Sequence, residues 1–361
     1  MTQRPPDDRA GFSLVEVLIA IAITVSVTAL ACALAIDAQA TWRADAERAD
    51  LQQRVRVASD TLTHVLLESG AGPHGGPARG PLLRILAPVL PRRTGLRGAD
   101  APATFRTDAF SVVRALPEAE HATLLVAAPA GATTVEIAPS PSCALPGCGF
   151  SDGATILLAD TRGNSDLFTV VGIAALTLSV RHHGSGTAAT YPAGSPVFAV
   201  ESTIFYVDSR AHVLRRYDGD ASDLPLVDDV VGMDVSYYGD PHPPMWPKPP
   251  AREANCLYDA DGSYAFALMP DLQPEGPAVQ LTEDLATDGP WCGSGANQFD
   301  ADLLRVRRIR VTLRLQASDP AVRGRDPALF RIPGTTRRSA AMVPDATIAI
   351  DVTSRNLRQG W

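Results

Sequence analysis

The stretch Gly11-Phe12-Ser13-Leu14-Val15-Glu16 stands directly before Val17–Ile36, a run of 20 residues without a single charge. As a helix rising 1.5 Å per residue, such a run is about 30 Å long, the thickness of a bilayer's hydrocarbon core. Asp37 closes it. Upstream, residues 1–11 read MTQRPPDDRAG, polar and proline-bearing. An ordinary secretory signal has a shorter apolar stretch, with its small-residue cleavage site after it. Here the processing signal, Gly11-Phe12, lies before the run. A plain signal anchor would account for the apolar residues but not for Glu16, a carboxylate placed where charge is expensive unless paired.

The six residues resemble the type IV prepilin signature, G-F-x-L-x-E followed by about twenty apolar residues. In that family a membrane aspartyl peptidase cuts after the glycine and methylates the new amine. The resemblance implies cleavage between Gly11 and Phe12, an N-methylated Phe12 and a Glu16 in fifth place of the mature chain. It also implies partners: the prepilin peptidase, other major and minor pilins, the inner-membrane assembly platform, and membrane lipid before assembly. The location implied is a single pass through the inner membrane, head in the periplasm, and then a pilus or pseudopilus filament. Arg4 and Arg9 are balanced by Asp7 and Asp8, so this leader is less basic than family leaders usually are. A free amine and a carboxylate in lipid each carry a desolvation cost that pairing between neighbouring subunits offsets, which makes Glu16 a candidate register device for assembly.

Working outward, no proline or glycine interrupts Phe12 to Ser69. Leu51, Val55, Ala58, Leu62 and Val65 recur at spacings of four and three, one apolar stripe of a helix. Gly70 is the expected stop. One helix therefore serves two surroundings, membrane or filament core first and a globular head second. The wording Leu51-Gln52-Gln53-Arg54-Val55-Arg56-Val57-Ala58, with Leu62 and Glu68-Ser69-Gly70-Ala71-Gly72, resembles the PilW-type minor pilins. The fold class expected is α+β and pilin-like: a long N-terminal membrane-spanning helix packed on a β-rich globular head with insertions.

The head reads as β-structure from Phe110 onward, with 28 Gly and 30 Pro in the chain supplying turns. A first group of strands is expected at Thr123–Val126, Thr133–Ile137, Ala154–Leu158, Leu167–Ile173 and Leu176–Val180, forming a small barrel or meander. A second group begins with a hairpin, Thr203–Val207 and His212–Tyr217. Met233, Val235 and Tyr237 alternate with polar residues, as do Ile309, Val311, Leu313 and Leu315 and then Ile348, Ile350 and Val352. This hairpin and the two terminal strands together resemble the C-terminal sheet of the PilW-type proteins. The organisation expected is a leader (1–11), the membrane half (12–36) and amphipathic half (37–69) of the helix, a loop (70–105), a β-rich subdomain (106–200) and a C-terminal sheet region (201–361). The last carries a disulfide-bearing insertion at about 239–300, too long to be a simple connection.

Of five cysteines, Cys32 lies in the apolar run and reads as an inert small residue. Cys143 and Cys148 bracket a four-residue loop, and Cys256 and Cys292 bracket the insertion. In an exported head these suggest two bridges, Cys143–Cys148 and Cys256–Cys292. The competing zinc reading lacks C-x-x-C spacing and a well-placed histidine. Asp259-Ala260-Asp261-Gly262 is similar to part of a calcium loop but reads better as an exposed turn. His182-His183 reads as an unpaired polar turn, and Arg305, Arg307, Arg308, Arg310 and Arg314 as a solvated or edge-protecting basic face. No nucleotide, hydrolase or zinc-protease motif occurs, and neither enzyme activity, cofactor nor metal is expected. A formal net charge of −8 argues against a general nucleic-acid binder.

The function implied is a minor pilin of a type IV pilus, acting in initiation, assembly or tip structure. A minor pseudopilin of a type II secretion system shares every N-terminal feature. A tip adhesin or DNA-binding receptor, with a surface or DNA as ligand, is the alternative of another class. Mass spectrometry of protein from cells with an active prepilin peptidase is expected to find a chain starting at N-methylated Phe12; an intact Met1 terminus would contradict the motif reading.

Overall fold

The computed structural model describes residues 13–75, 79–115, 120–139, 146–183, 189–265, 267, 269–272, 278–337 and 341–358. The structure is α+β, one long apolar N-terminal helix and a β-rich head with several sheets. Helix α1 runs Leu14–Glu68, 55 residues without proline or glycine, about 80 Å at the standard rise. Two compact units divide the chain, one holding the helix up to Gln52 with Ala317–Asp345, the other holding Gln53–Gln316 and the chain from Ala346 on.

In the first unit every residue from Ser13 to Gln39 is exposed, and full burial begins at Ala44. Arg48 donates to the Met342 carbonyl at 3.0 Å, and the Ser318 amide donates to Glu47 at 2.9 Å. Ala317–Asp345 contains no strand among its described residues, and Phe330 and Val343 are its buried anchors. Gly334 is needed there, because a Cβ would lie 2.3 Å from the Arg323 carbonyl oxygen.

In the second unit the apolar stripe of α1 is covered: Ala58, Leu62, Val65 and Leu66 are buried, and Val55 is half-buried. The helix ends at Gly70, whose φ of 74° suits glycine and whose amide bonds the Val113 carbonyl. Ser354, after the last strand, donates to the Leu67 and Ser69 carbonyls and so satisfies groups that a helix end leaves bare.

Two strands follow, β1 (Val89–Leu90) and β2 (Ala109–Arg114). The described residues of 70–105 hold a short 3-10 turn, Leu82–Arg84, and β1 amid irregular backbone, and they are also core. Leu82, Leu83, Leu86 and Ala87 are buried in a cluster shared with Phe198, Leu257, Phe299 and Leu304. Its apolar residues lack a period because each meets the core through irregular backbone.

Six strands then close on themselves: β3 (His121–Thr123), β4 (Thr134–Glu136), β5 (Thr155–Ala159), β6 (Ser165–Ala174), β7 (Thr177–His182) and β8 (Pro196–Ala199). Their order is β3-β8-β5-β6-β7-β4, and the end strands are joined by the bridge Leu124–Ile137. The result is a small barrel whose interior is filled by Leu124, Ile137, Ile156, Phe168, Val170, Leu178 and Val197.

Beyond the barrel come β9 (Glu201–Asp208), β10 (Val213–Tyr217) and β11 (Asp223–Asp228), which with β1 and β2 form an antiparallel sheet, β1-β2-β9-β10-β11. Next is β12 (Val230–Gly239), then β13 (Val279–Leu281), β14 (Trp291–Cys292), β15 (Phe299–Asp300), β16 (Val306–Leu315) and β17 (Ala346–Thr353). The second large sheet is ordered β13-β12-β16-β17. The hairpin β9–β10 therefore does not share a sheet with the terminal strands, against expectation. Asp229 explains the break: with φ of 57° it turns the chain between β11 and β12, and Arg54 holds its carboxylate at 3.0 Å.

The stretch 239–300 is also more than an appendage. Leu257, Met269, Ala286, Cys292 and Phe299 belong to the same core cluster as Leu82. Arg305 ties it down by donating to the Pro241 and Pro270 carbonyls at 2.7 and 2.8 Å.

The pair His182-His183 is not an unpaired turn. His182 ends β7 with Nε2 2.9 Å from Asp166, a buried carboxylate that also accepts from the Tyr191 hydroxyl. His183 is 2% exposed, with Nε2 2.6 Å from the Thr169 hydroxyl. Because that hydroxyl donates to Asp220, His183 must be the donor at Nε2, which leaves Nδ1 bare. Desolvation pushes the His183 pKa down to about 4, so the folded state holds it neutral. The unfolded chain takes up a proton near pH 6.5, and the folded one near 4. Stability should thus be unaffected above pH 6.5 and fall by about 3 kcal/mol as pH drops through that window. Denaturant midpoints measured from pH 7.5 to 4 should show this loss, and His183→Gln should flatten it.

Candidate assembly site

The N-terminus of α1 is closed by its own side chains. The Ser13 amide donates to a Glu16 carboxylate oxygen at 2.9 Å, while the Glu16 amide donates to the Ser13 hydroxyl at 3.2 Å. This is a capping box, two bare helix donors satisfied reciprocally by a Ser at the cap and a Glu three residues on. The Ser13-to-Glu16 spacing is visible in the sequence, but the prepilin signature points Glu16 at an amine and leaves its local capping bond to the structure. Gly11 and Phe12, the expected cleavage and methylation positions, lie outside the described residues.

Downstream, every residue of the apolar run is exposed, with no cover from the described residues of the chain. Its few hydroxyls are satisfied internally: Thr24, Ser26 and Thr28 each donate to the carbonyl four residues back at 2.8 Å. A helix whose backbone and hydroxyls are all paired within one segment suits lipid, where unpaired polar groups are costly. Cys32 is exposed and free on this helix.

The head's cysteines are partly visible. Cys256 and Cys292 are joined by a disulfide that links the start and end of the 239–300 stretch. Cys148 is also disulfide-bonded and packs in the barrel core, whereas Cys143 lies outside the described residues.

The basic face is differently built from the expectation. Arg305 belongs to a 3-10 turn before β16 and is fully buried, and β16 is an interior strand, not an edge. Arg308 stacks 4.1 Å over Tyr238, and Arg310 donates to Asp351 at 2.6 and 3.0 Å. Asp259–Ser263 is a turn closed by backbone bonds, with Asp261 accepting from the Ser263 amide. Asp288, Asp300 and Asp302 gather their carboxylate oxygens within 4.8 Å. Asp300 accepts from the Gly289 and Asp302 amides, and Asp302 lies 2.6 Å from Arg305. Burial raises the Asp302 pKa to about 7 and that of Asp300 upward too. Asp300 and Asp302 thus have internal partners while Asp288 is exposed, and the sequence, which spaces the trio over fifteen residues, did not signal it.

Residues 7–31 match the family model described as the prokaryotic N-terminal methylation motif. The matched span takes in Gly11–Glu16 and the larger part of the apolar run, and it supports a type IV pilin-like protein. Such a motif suggests a structural protein rather than an enzyme and implies processing by a prepilin peptidase and assembly with other pilins. Together with the exposed apolar helix it fits a membrane-anchored pilin. No curated protein matches the chain. Replacing Ser13 by Ala removes one half of the capping box and should cost about 1 kcal/mol, a roughly fivefold faster amide exchange confined to the first turn of α1 in micelles. Unchanged exchange there would show that the cap contributes nothing.

Proposed function

We propose that this chain is a minor pilin of a type IV pilus, cleaved after Gly11, methylated at Phe12, held in the inner membrane with its head in the periplasm, and then drawn into a filament. The observation that carries the reading is Glu16, a carboxylate at the mouth of an uncharged run of 20 residues that no described residue of the chain covers. Lipid covers such a surface before assembly, and neighbouring helices of the same kind replace lipid afterwards. Within a bundle the carboxylate meets the cationic amine of an adjacent subunit, each relieving the other's desolvation. The size of the head supports a place at the tip or in initiation, since a barrel added to the sheets would crowd a close-packed shaft. A bridge between Cys143 and Cys148 completes the proposal for the exported head.

Glu16→Ala should leave cleavage and head folding intact and exclude the protein from filaments. Removing one member of a buried pair costs about 3–5 kcal/mol, enough to bar a subunit from a growing assembly. The capping box is worth less than the pair, so Ser13→Ala, which removes the bond from the Glu16 amide to the Ser13 hydroxyl, should reduce incorporation only slightly. Quantifying mature protein in membranes and in sheared filaments tests this; wild-type levels of the Glu16 variant in filaments would overturn the role.

A further inference from the structure

Trp42 is 79% exposed, the most exposed large apolar side chain of the chain's described residues, and it stands on the helix between the apolar run and the first fully buried position, Ala44. Among the described residues neither Trp42 nor its neighbour Arg43 has a partner. We propose that Trp42 and Arg43 seat the unassembled protein in the phospholipid headgroup layer and so set the depth of the helix in the bilayer. The proposal rests on the membrane-anchored reading given above.

The rise of the helix places them. Centring Val17–Ile36 on the bilayer midplane puts Glu16 and Asp37 about 16 Å from it, at the two edges of a hydrocarbon core about 30 Å thick. The Trp42 backbone is then about 23 Å from the midplane, and a tilt of about 20° brings it to about 22 Å. Side chains on a helix lean toward its N-terminus, here back toward the membrane. The indole therefore reaches the headgroup layer, whose outer limit is about 20–22 Å from the midplane. An aromatic ring with a polar N–H is favoured there, apolar on one side and wet on the other. Arg43, one position on, carries the charge that suits lipid phosphates. The same two residues in the water-facing stretch of a soluble helix would have no such partner.

The test uses full-length protein reconstituted into phosphatidylcholine–phosphatidylglycerol vesicles containing phosphatidylcholine with a nitroxide either on its choline headgroup or at acyl carbon 12. The fluorescence difference between wild type and Trp42→Phe isolates this indole while leaving the three other tryptophans in place. The headgroup nitroxide should quench that difference signal at least about twice as strongly as the nitroxide at carbon 12. A difference signal quenched by neither nitroxide, or more by the one at carbon 12, from protein that still floats with the vesicles, would overturn the proposal. Protein that fails to float with vesicles would instead overturn the membrane anchor itself. Arg43→Gln should lower the headgroup quenching of Trp42 more in the anionic vesicles than in phosphatidylcholine alone; equal effects would remove Arg43 from the assignment.

Discussion

An uncharged run of 20 residues that no described part of the chain covers dictates the rest of this molecule. At about 25 cal/mol per Å² of apolar surface, leaving Val17–Ile36 in water is untenable, so another phase or other helices must take it. That demand explains the internal economy of the segment: no proline or glycine, hydroxyls bonded to their own backbone, and a capping box in place of a water-dependent terminus. It also explains why the helix continues unbroken into a second environment. The same α1 that is bare through Gln39 is lined by buried Ala58, Leu62, Val65 and Leu66 farther on.

The head is enlarged in a way that protects this arrangement. The barrel interrupts the chain between β2 and β9, two strands that are direct neighbours and whose register pairs Arg114 with Glu201. Arg114 donates to Glu201 at 2.5 and 3.0 Å and is also paired with Glu68 at the helix end. A module whose two ends leave from adjacent, ion-paired positions can be large without disturbing the sheet beneath it, because its termini are already together. Its interior cluster is its own, while the outward faces of Leu157 and Phe198 join the common core. The barrel is thus grafted at a point and then glued along one side.

The sequence carried the periodic parts and missed the aperiodic ones. The helix was legible because its stripe and its breaker-free length are local properties, and Gly70 ended it where a left-handed residue was needed. Strict alternation marked β16 and β17, and closely spaced short runs marked the barrel. Other features depended on partners far along the chain. Nothing near Leu82–Leu86 reveals that Phe198 and Phe299 will bury it, and nothing near His183 reveals Thr169 and Asp220. Asp229, a single left-handed residue, decides which sheet follows, and no pattern announces it. At the assembly site the motif was plain, but the capping box needed three-dimensional bonds to separate a local duty of Glu16 from its intersubunit one.

Arginine shows why pattern alone misled in the head. A run of five arginines between Arg305 and Arg314 suggests a basic surface, yet most of these groups work internally. Arg305 and Arg307 donate to backbone carbonyls, at Pro241, Pro270, Leu304 and Val306. Arg92, almost wholly buried, does the same for Ala296 and Gln298, and Arg54 for Asp228 and Gln316. The guanidinium fork suits this role, since it satisfies several carbonyls of a strandless loop at once and stays charged when buried. Irregular backbone inside a core must have its polar groups paired, and arginine supplies donors where no neighbouring strand can. The consequence reaches function. Cations held by carbonyls, carboxylates and Tyr238 are not free to neutralise phosphates, and the chain as a whole carries a net charge of −8. Buried Arg305 and its neighbours are thus structural donors first, and five arginines in sequence overstate the free positive charge this face presents.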